Sequence, residues 1–352
     1  MIIGIANNLY PPFGRDSGAE IIAQQMAADL RQQGHEVFVI STKTPSSSRP
    51  QEKDLYWLNS RYELLANMNI IQKLTWYFIQ LFFPPHQKAL TKILQDKQVD
   101  LFITHNILGL SFALPKILHK QKIKHHHILH DIQLLHPSGL LYFGQEKKLD
   151  SGLAYLYQAL TKKIFKHSQL IISPSQWLLN LHQKYNFFQQ QKTVVRPNFE
   201  LDLKTNTKEK NKPVRFLFAG QLEDHKGLNL LIAAWKDTKL NPTQASLSIA
   251  GKGRLLHQVI QVSKELKNLQ YLGHLNREQM ESALKSHDCV VIPSTVYENS
   301  PTILWEASRY QLSAIASNLG GIPELEPHLD LKLFPPGNKK ALSEALRHYA
   351  LT

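Results

Sequence analysis

The chain has 352 residues, enough for two domains with complete hydrophobic cores. Hydrophobic residues make up 43% of it, as in ordinary globular proteins, so extensive disorder is excluded. The single cysteine, Cys289, excludes an internal disulfide and a multi-cysteine metal site, and it fits a reducing compartment. Residues 1–6 read directly as a core strand and not as a signal peptide, so a cytoplasmic protein is expected.

The net charge of +13 is unevenly distributed. Residues 1–198 contain 22 Lys and Arg against 12 Asp and Glu, whereas residues 199–352 contain 19 against 16. A basic N-terminal half predicts an anionic partner such as a membrane surface, a lipid-phosphate acceptor or a nucleic acid. Because no basic stripe is interleaved with aromatic residues, a nucleic acid is not the expected partner. The alternative is that the charge serves solubility alone.

The N-terminal half alternates strands with helices. A predicted strand at residues 1–7, a loop that ends at Gly18, a predicted helix at residues 19–33 and a strand at residues 35–40 form a βαβ start. The following residues 41–54 are polar and predict a loop. Further strands are predicted at residues 99–105, 123–130, 170–173 and 193–195, and helices at residues 151–166 and 176–185.

Residues 62–83 are unusually apolar, with an uninterrupted run at residues 74–85. That run is too short to span a bilayer, which needs about 20 residues. We interpret the segment first as a core helix. The alternative is an interfacial helix that docks on a membrane carrying the acceptor.

Histidines cluster near the end of the strand at residues 123–130. Three consecutive histidines, His125 to His127, do not predict a metal site, because adjacent strand residues point to opposite faces. His130 closes the strand, and ligands gather at strand ends in open α/β sheets. His130 is therefore a candidate site residue, and the alternative is a capping histidine.

The C-terminal half repeats the alternation. The polar, lysine-rich residues 200–213 predict the domain boundary, which gives domains at residues 1–198 and 199–352. Helices are predicted at residues 228–235 and from residue 339. Strands are predicted at residues 214–219, 245–250, 269–272, 289–292, 314–317 and 332–334. The fold class predicted for both halves is α/β.

Two glutamates bracket a turn from strand to helix after Ile292. Asn299 or Ser300 is the predicted N-cap of this helix, and Pro301 suits its first turn. A helix N-terminus binds phosphate, Glu306 could accept hydrogen bonds from a ribose diol, and Glu298 could face a group beyond the phosphates. This order describes a nucleotide sugar. The alternative is two solvated glutamates at a helix end.

The pattern E-x7-E resembles the donor-site signature of retaining glycosyltransferases of family 4, which have the GT-B fold. Other motifs follow the family's order along the chain: Gly220-Gln221-Leu222 with Lys226-Gly227, Gly251-Lys252-Gly253, and Gly320-Gly321. The resemblance implies two Rossmann-like doubly wound domains facing an inter-domain cleft, an N-terminal domain for the acceptor and a C-terminal one for the nucleotide-sugar donor. Family members usually add a helix that packs back on the N-terminal domain, and here we expect it to be short or missing.

The resemblance also implies an activity, that of a hexosyltransferase. Such an enzyme moves a sugar from a nucleotide diphosphate sugar to a hydroxyl acceptor, and a lipid-linked molecule is one candidate for this acceptor. Glycan, glycolipid or cell-surface polysaccharide synthesis is the expected setting, in the cytoplasm or peripherally on the inner face of the membrane. The implied catalytic residues are His130, Glu298 and Lys226. The implied donor-binding residues are Gly18, Gln221, Lys226, Leu275, Glu298, Asn299, Ser300, Pro301, Thr302, Ile303 and Glu306.

The sequence departs from the family pattern at two positions. Gln221 stands where the family has a phosphate-binding arginine, and Ser17 precedes Gly18 where the family has a glycine pair. No Asp-x-Asp metal motif is evident, so neither a metal nor another cofactor is expected besides the nucleotide-sugar co-substrate. A non-catalytic sugar-nucleotide-binding protein and a GT-B epimerase or phosphorylase stay open as alternatives.

Overall fold

A computed structural model describes residues 1–11, 18–45, 53–197 and 212–352. The contacts within the chain divide it into two compact units. The first comprises Met1–Gly139 and Lys147–Arg196, and the second comprises Leu140–Glu146 and Pro197–Thr352. The boundary predicted between residues 198 and 199 lies outside the described residues, as does most of the lysine-rich segment that suggested it.

The first unit is built on a parallel sheet with the order β3-β2-β1-β4-β5-β6-β7. Its strands are β1 (Ile2–Ala6), β2 (Glu36–Lys43), β3 (Leu55–Asn59), β4 (Leu101–Thr104), β5 (Lys124–Ile128), β6 (Leu170–Ser173) and β7 (Lys192–Val195). Its helices are α1 (Gly18–Gln32), α2 (Ile70–Phe82), α3 (Gln87–Lys97), α4 (Leu114–Lys120), α5 (Gly152–Phe165) and α6 (Gln176–Lys184). The elements β3, α3 and α4 were not predicted from the sequence.

Apolar runs explain the centre of this sheet. Ile3 and Ile5 on β1 are fully buried, and they pack with Val37 and Val39 on β2. Strands of a parallel sheet covered on both faces need apolar residues at nearly every position, which is the pattern of these two strands.

Helix α2 exposes its apolar side chains. Only Trp76 and Gln80 of this helix are buried. The interpretation of the segment as a core helix is therefore wrong for most of its apolar side chains. Among the described residues, no helix combines the length and the apolarity needed to cross a membrane. The large hydrophobic side chains left exposed on α2 and its C-cap are Ile70, Ile71, Leu74, Phe78, Ile79, Phe82 and Phe83.

The second unit has a parallel sheet with the order β10-β9-β8-β11-β12-β13. Its strands are β8 (Val214–Ala219), β9 (Ala245–Ala250), β10 (Leu269–Gly273), β11 (Cys289–Ile292), β12 (Ser313–Ser317) and β13 (Leu331–Phe334). Its helices are α7 (Leu228–Thr238), α8 (Leu256–Glu265), α9 (Arg277–Ser286), α10 (Thr302–Arg309) and α11 (Lys339–Leu351). The predicted α/β class, with two doubly wound parallel sheets, is confirmed.

Helix α11, the last of the chain, packs against α7, β12 and β13 of the second unit. Leu342 and Leu346 are fully buried in the core that also contains Cys289. The Tyr349 hydroxyl donates to the Asp288 carbonyl over 3.1 Å, which ties the helix to the start of β11.

The strand order of both sheets reverses at a defined point. In the second sheet β9 lies on one side of β8 and β11 on the other, so consecutive connections leave β8 in opposite directions. Ligands of doubly wound sheets bind outside the carboxyl ends of the strands at such a point. The residues after β8 and β11 are therefore where a site is expected.

Candidate active site

The loops after β8 and β11 are held together by a close backbone approach. The β8 loop contains a short 3-10 helix, Asp224–Lys226, that ends at Gly227. Gly227 has a φ of +73°, and a Cβ there would lie 1.7 Å from the carbonyl oxygen of Pro293. Only glycine fits this position, because both the left-handed backbone and the missing side chain are required. The contact brings Lys226 beside the residues that follow β11.

Lys226 and Glu298 form an ion pair across these two loops. Nζ of Lys226 lies 2.6 Å from Oε1 of Glu298, and the Ser294 hydroxyl donates to the same oxygen over 2.7 Å. Burial raises the pKa of Glu298, but the Lys226 charge and the two hydrogen bonds lower it further, so the net pKa lies below its usual value. Both described bonds end on Oε1. The pair is therefore an ionised carboxylate anchored through one oxygen, with Oε2 on its other side.

A glycine turn fixes the backbone of Glu298. The amide of Gly321 donates to the Glu298 carbonyl over 2.8 Å. Gly320 has a φ of +68°, and a Cβ there would lie 2.1 Å from the same carbonyl oxygen. The Gly320-Gly321 motif of the sequence is thus explained by its contact with Glu298.

Helix α10 begins one or two residues later than the sequence predicted, since the predicted N-cap is Ser300 or Asn299. Its N-cap is Pro301, whose side chain cannot cap, and neither Asn299 nor Ser300 takes that role. The prediction is wrong because the Ser300 hydroxyl accepts a hydrogen bond from the indole Nε1 of Trp305 over 2.7 Å. Pro301 supplies no side-chain cap to the first turn, where Thr302 and Ile303 lie, and the first amides of a helix have no partner within it.

Glu306 lies on α10 between the buried Trp305 and the buried Ala307. Its side chain is partly exposed and makes no described hydrogen bond. Burial raises the pKa of Glu306, and the opposing charge of Arg277 does not offset it. A carboxylate that is partly desolvated and has no hydrogen-bond donor is costly, unless a ligand supplies the donors.

Two more predicted donor residues belong to the second unit. Leu275 follows β10, and it packs with Ile303 against the hydrophobic cluster that contains Trp305. Arg277, which acts on Glu306, is two residues further along the chain. Gln221 follows the end of β8 and is half-buried. The structure thus brings Leu275 to the side of α10 and Gln221 to the loop of Lys226.

The two remaining candidates belong to the first unit. Gly18 is the first residue of α1, and the loop before it lies outside the described residues. His130 follows β5, and its Nε2 lies 2.7 Å from Nδ1 of the fully buried His105. Burial lowers the pKa of His130 to about 4, so both rings are neutral at pH 7. His130 therefore pairs with a second histidine of its own unit.

The side chains of the three consecutive histidines of β5 alternate between the two faces of the sheet, as expected for a strand. His125 and His127 are both buried on one face, and both bond the hydroxyl of Thr104, over 2.7 and 2.8 Å. His126, between them, is only half-buried. These bonds hold β5 to β4 behind His130.

Several residues at the site were not found from the sequence. Ser294 could have been found from the sequence, because a serine directly after a buried strand is placed to hydrogen-bond the next loop. For His105, the sequence shows only that it closes β4. The segment Leu140–Glu146, which we call the strap, is far away in sequence. It forms an antiparallel bridge between Tyr142 and Val296, two residues before Glu298. No local pattern predicts such a pairing.

Two family models match this chain. "Glycosyltransferase Family 4" matches residues 17–199, and "Glycosyl transferases group 1" matches residues 200–350. The chain belongs to glycosyltransferase family 4. It is a glycosyltransferase of the hexosyltransferase type, EC 2.4.

This glycosyltransferase resembles several known proteins in sequence. A Klebsiella pneumoniae protein described as "Uncharacterized 42.6 kDa protein in cps region" is 26% identical over 92% of this chain and 87% of its own length. A glycogen synthase of Mycobacterium tuberculosis is 30% identical over 32% of this chain and 28% of its own.

Solved structures confirm the GT-B fold of the glycosyltransferase. A sucrose-phosphate synthase from Thermosynechococcus elongatus has a TM-score of 0.69 and 16% identity, covering 99% of this chain and 89% of its own. The Anabaena protein Alr3699/HepE, solved with UDP and glucose, has a TM-score of 0.68 at the same identity and coverage.

Proposed function

We propose that this glycosyltransferase transfers a sugar, with retention of its anomeric configuration, from a nucleotide diphosphate sugar to a hydroxyl acceptor. The observation that carries the proposal is Glu306. Its carboxylate is partly buried, has a raised pKa and makes no hydrogen bond within the described residues. A ribose diol would supply the two missing donors, in bonds of about 1.5–3 kcal/mol each.

The diphosphate would lie between Lys226 and the first turn of α10. An ammonium group has three donors, of which the bond to Glu298 uses one. The others can point to phosphate oxygens, and the uncapped amides of α10 add the positive end of a helix dipole. These groups stabilise the charge that grows on the departing diphosphate. We therefore propose that transfer needs no resident metal ion, and the activity should survive a chelator.

Glu298 and His130 would act on the sugar itself. Oε2 of Glu298 is directed away from the two donors that hold Oε1, so it can accept from a sugar hydroxyl. His130, neutral and paired with His105, would contact the sugar from its own unit. Asn299 and Gly18 would line the same donor site, as the family resemblance implies.

Names of the similar proteins support a nucleotide-sugar donor and a carbohydrate product. HepE was solved with UDP and glucose, and a starch synthase IV of Arabidopsis thaliana with ADP and acarbose. Glycogen synthase is a polysaccharide-forming enzyme by name. We propose glycan, glycolipid or cell-surface polysaccharide synthesis as the setting of this enzyme.

A panel of nucleotide sugars, scored by thermal stabilisation, tests the donor class, because a bound ligand raises the melting temperature with its affinity. With the donor identified, Glu306→Ala should raise the donor KM at least about tenfold. Glu344→Ala, an exposed glutamate on α11, is the matched control and should change nothing. Proton NMR of the product reads the anomeric configuration. An unchanged donor KM in Glu306→Ala would remove Glu306 from the site.

Gln221 favours a second candidate, a non-catalytic sugar-nucleotide-binding protein of the same fold. Glutamine lacks the charge and the bidentate hydrogen bonds of arginine, so the diphosphate is held less tightly. Donor binding without transfer to any acceptor would support this candidate. Turnover of the nucleotide sugar without an acceptor would instead indicate an epimerase.

We also propose that the exposed face of α2 docks on an anionic membrane at the cytoplasmic side, where a lipid-linked acceptor would be reached. Ile70, Leu74 and Phe78 follow one another at helical spacing, and Ile71 is 72% exposed. The buried Trp76 lies on the opposite face. The helix contains Lys73 and no acidic residue, within a half of the chain that is strongly basic. An apolar face with basic surroundings suits an interfacial helix.

Sedimentation with lipid vesicles tests this surface. The enzyme should bind vesicles that contain phosphatidylglycerol more than neutral ones, and Ile71→Ser with Phe78→Ser should abolish binding. Ile260→Ser, at an exposed isoleucine on α8, is the control. If the double variant instead converts a dimer to a monomer and leaves vesicle binding unchanged, a second copy of the chain covers this face and the proposal fails.

A further inference from the structure

The strap, Leu140–Glu146, lies in sequence between two segments of the first unit, but it belongs to the second unit. It lies along the loop after β11. The amide of Phe143 donates to the Thr295 carbonyl over 3.0 Å, and the amide of Tyr297 donates to the Leu141 carbonyl over 2.8 Å. Together with the bridge between Tyr142 and Val296, these bonds form a short antiparallel pair.

A side-chain hydrogen bond fastens the end of the strap. The Tyr297 hydroxyl donates to Oε1 of Glu146 over 2.7 Å, and the amide of Gly144 donates to the same oxygen over 2.8 Å. The bond from Tyr297 is the main reason that the pKa of Glu146 lies below its usual value. Leu141 and Val296 are buried beneath this pair, at 4% and 2% exposure.

The residues held by the strap directly precede Glu298. On their other side, the amide of Thr295 donates to the His225 carbonyl over 3.0 Å, one residue before Lys226. The loop is thus fixed between the strap and the 3-10 helix that presents Lys226. Without the strap, the outer side of the loop would lose its backbone partners, and Glu298 would be held through Oε1 and its own carbonyl only.

We propose that the strap is a positioning element for Glu298, with Glu146 and Tyr297 as the positioning residues. The inference rests on the proposed role of Glu298 at the donor sugar. Neither positioning residue contacts the substrate. They set the direction of Oε2 of Glu298 by holding the three residues before it. An error of about 1 Å in a catalytic group costs about a hundredfold in rate, so a loosened strap should lower kcat more than donor affinity.

Three single variants and one double variant separate positioning from other roles. Glu146→Ala and Tyr297→Phe each remove the hydrogen bond and should lower kcat about tenfold or more, with the donor Kd changed by less than about twofold. Glu146→Gln keeps an oxygen that accepts from Tyr297, so it should retain most of the activity. Glu146→Ala also removes the bond from the Gly144 amide, so the double variant Glu146→Ala with Tyr297→Phe should be no slower than Glu146→Ala, in which the Tyr297 bond is already lost.

Equal losses in Glu146→Ala and Glu146→Gln would overturn the inference, since the charge and not the hydrogen bond would then matter. Additive losses in the double variant would also overturn it. Glu298→Ala distinguishes the two proposals. If Glu298→Ala leaves kcat unchanged, the proposed role of Glu298 fails; if it abolishes transfer while both strap variants stay at full rate, only the strap inference fails. Melting temperatures of all variants show that each is folded.

Discussion

Lys226 and Glu298, 72 positions apart, are joined by an ion pair of 2.6 Å at the carboxyl ends of β8 and β11. Their side chains are 29% and 15% exposed, so solvent screens the pair only in part. The residue expected to hold phosphate is therefore also the residue that keeps Glu298 ionised. In the proposed function, donor binding and sugar orientation would be coupled through this one ammonium group.

Lys226→Ala should destabilise the protein and disable the enzyme. It leaves the partly buried Glu298 without its cation, so the pKa of Glu298 rises and the free energy of unfolding falls by about 1.5–3 kcal/mol. Urea unfolding measures this change. Lys340→Ala removes an exposed pair with Glu344 and should cost less than about 0.5 kcal/mol. A loss in Lys226→Ala no larger than in this control would show that the ion pair is screened.

Glu306→Gln should stabilise the protein while it raises the donor KM. The folded pKa of Glu306 lies above its unfolded value, so the folded state loses stability as the carboxyl ionises with rising pH. At pH 7 the variant should therefore be more stable by up to about 1 kcal/mol. The gain should vanish as the pH falls below the folded pKa. Lower stability of Glu306→Gln at pH 7 would mean that the carboxylate has a partner in the folded enzyme.

Acid should weaken the first unit before the second. Burial lowers the pKa of five histidines there far below 6.5, namely His105, His125, His127, His130 and His182. As the pH falls from about 6.5 toward 4, the unfolded chain takes up these protons and the folded chain does not, so stability is lost. Each histidine contributes about 1.4 kcal/mol per pH unit. Burial raises the pKa of Asp131 to about 6, so the folded chain takes up a proton there as the pH falls. This uptake offsets the stability loss from about one of the five histidines.

Hydrogen exchange at pH 7.5 and pH 5.5 measures this loss unit by unit. His182→Leu should make the pH dependence shallower by about one proton, because Nε2 of His182 is buried without a described partner. His257→Leu, at an exposed histidine on α8, should leave the dependence unchanged. Equal acid sensitivity of the two units would contradict this prediction.

Sequence patterns located the elements where burial is continuous. β9 and β11 have the predicted bounds. β11 is an apolar run in which every residue is buried, and β9 has apolar residues in alternation with Ser246 and Ser248 and is followed by a glycine turn. The pattern did not show which face of α2 is buried. A count of apolar residues does not show which side of a helix faces the core. In α2 the buried side is the one that carries Trp76 and Gln80.

The ion pair of the site could be predicted from the sequence, but the contacts that hold its two loops in place could not. Lys226 and Glu298 each follow a predicted strand, so their convergence at the edge of the sheet follows from the strand order. The N-cap of α10 depends on the bond between Ser300 and Trp305, and the strap depends on the distant Tyr297 and Glu146. Both are tertiary contacts that local periodicity does not encode.

Gln221→Arg should tighten donor binding. Gln221 follows β8 in the loop that carries Lys226, and an arginine there would add a charge and bidentate hydrogen bonds to the diphosphate. The donor KM should fall about three- to tenfold at low ionic strength and less at high salt. Gln261→Arg, on the exposed side of α8, adds the same charge away from the loop and is the control. If both variants lower KM equally, the effect is one of net charge, and the diphosphate does not lie beside residue 221.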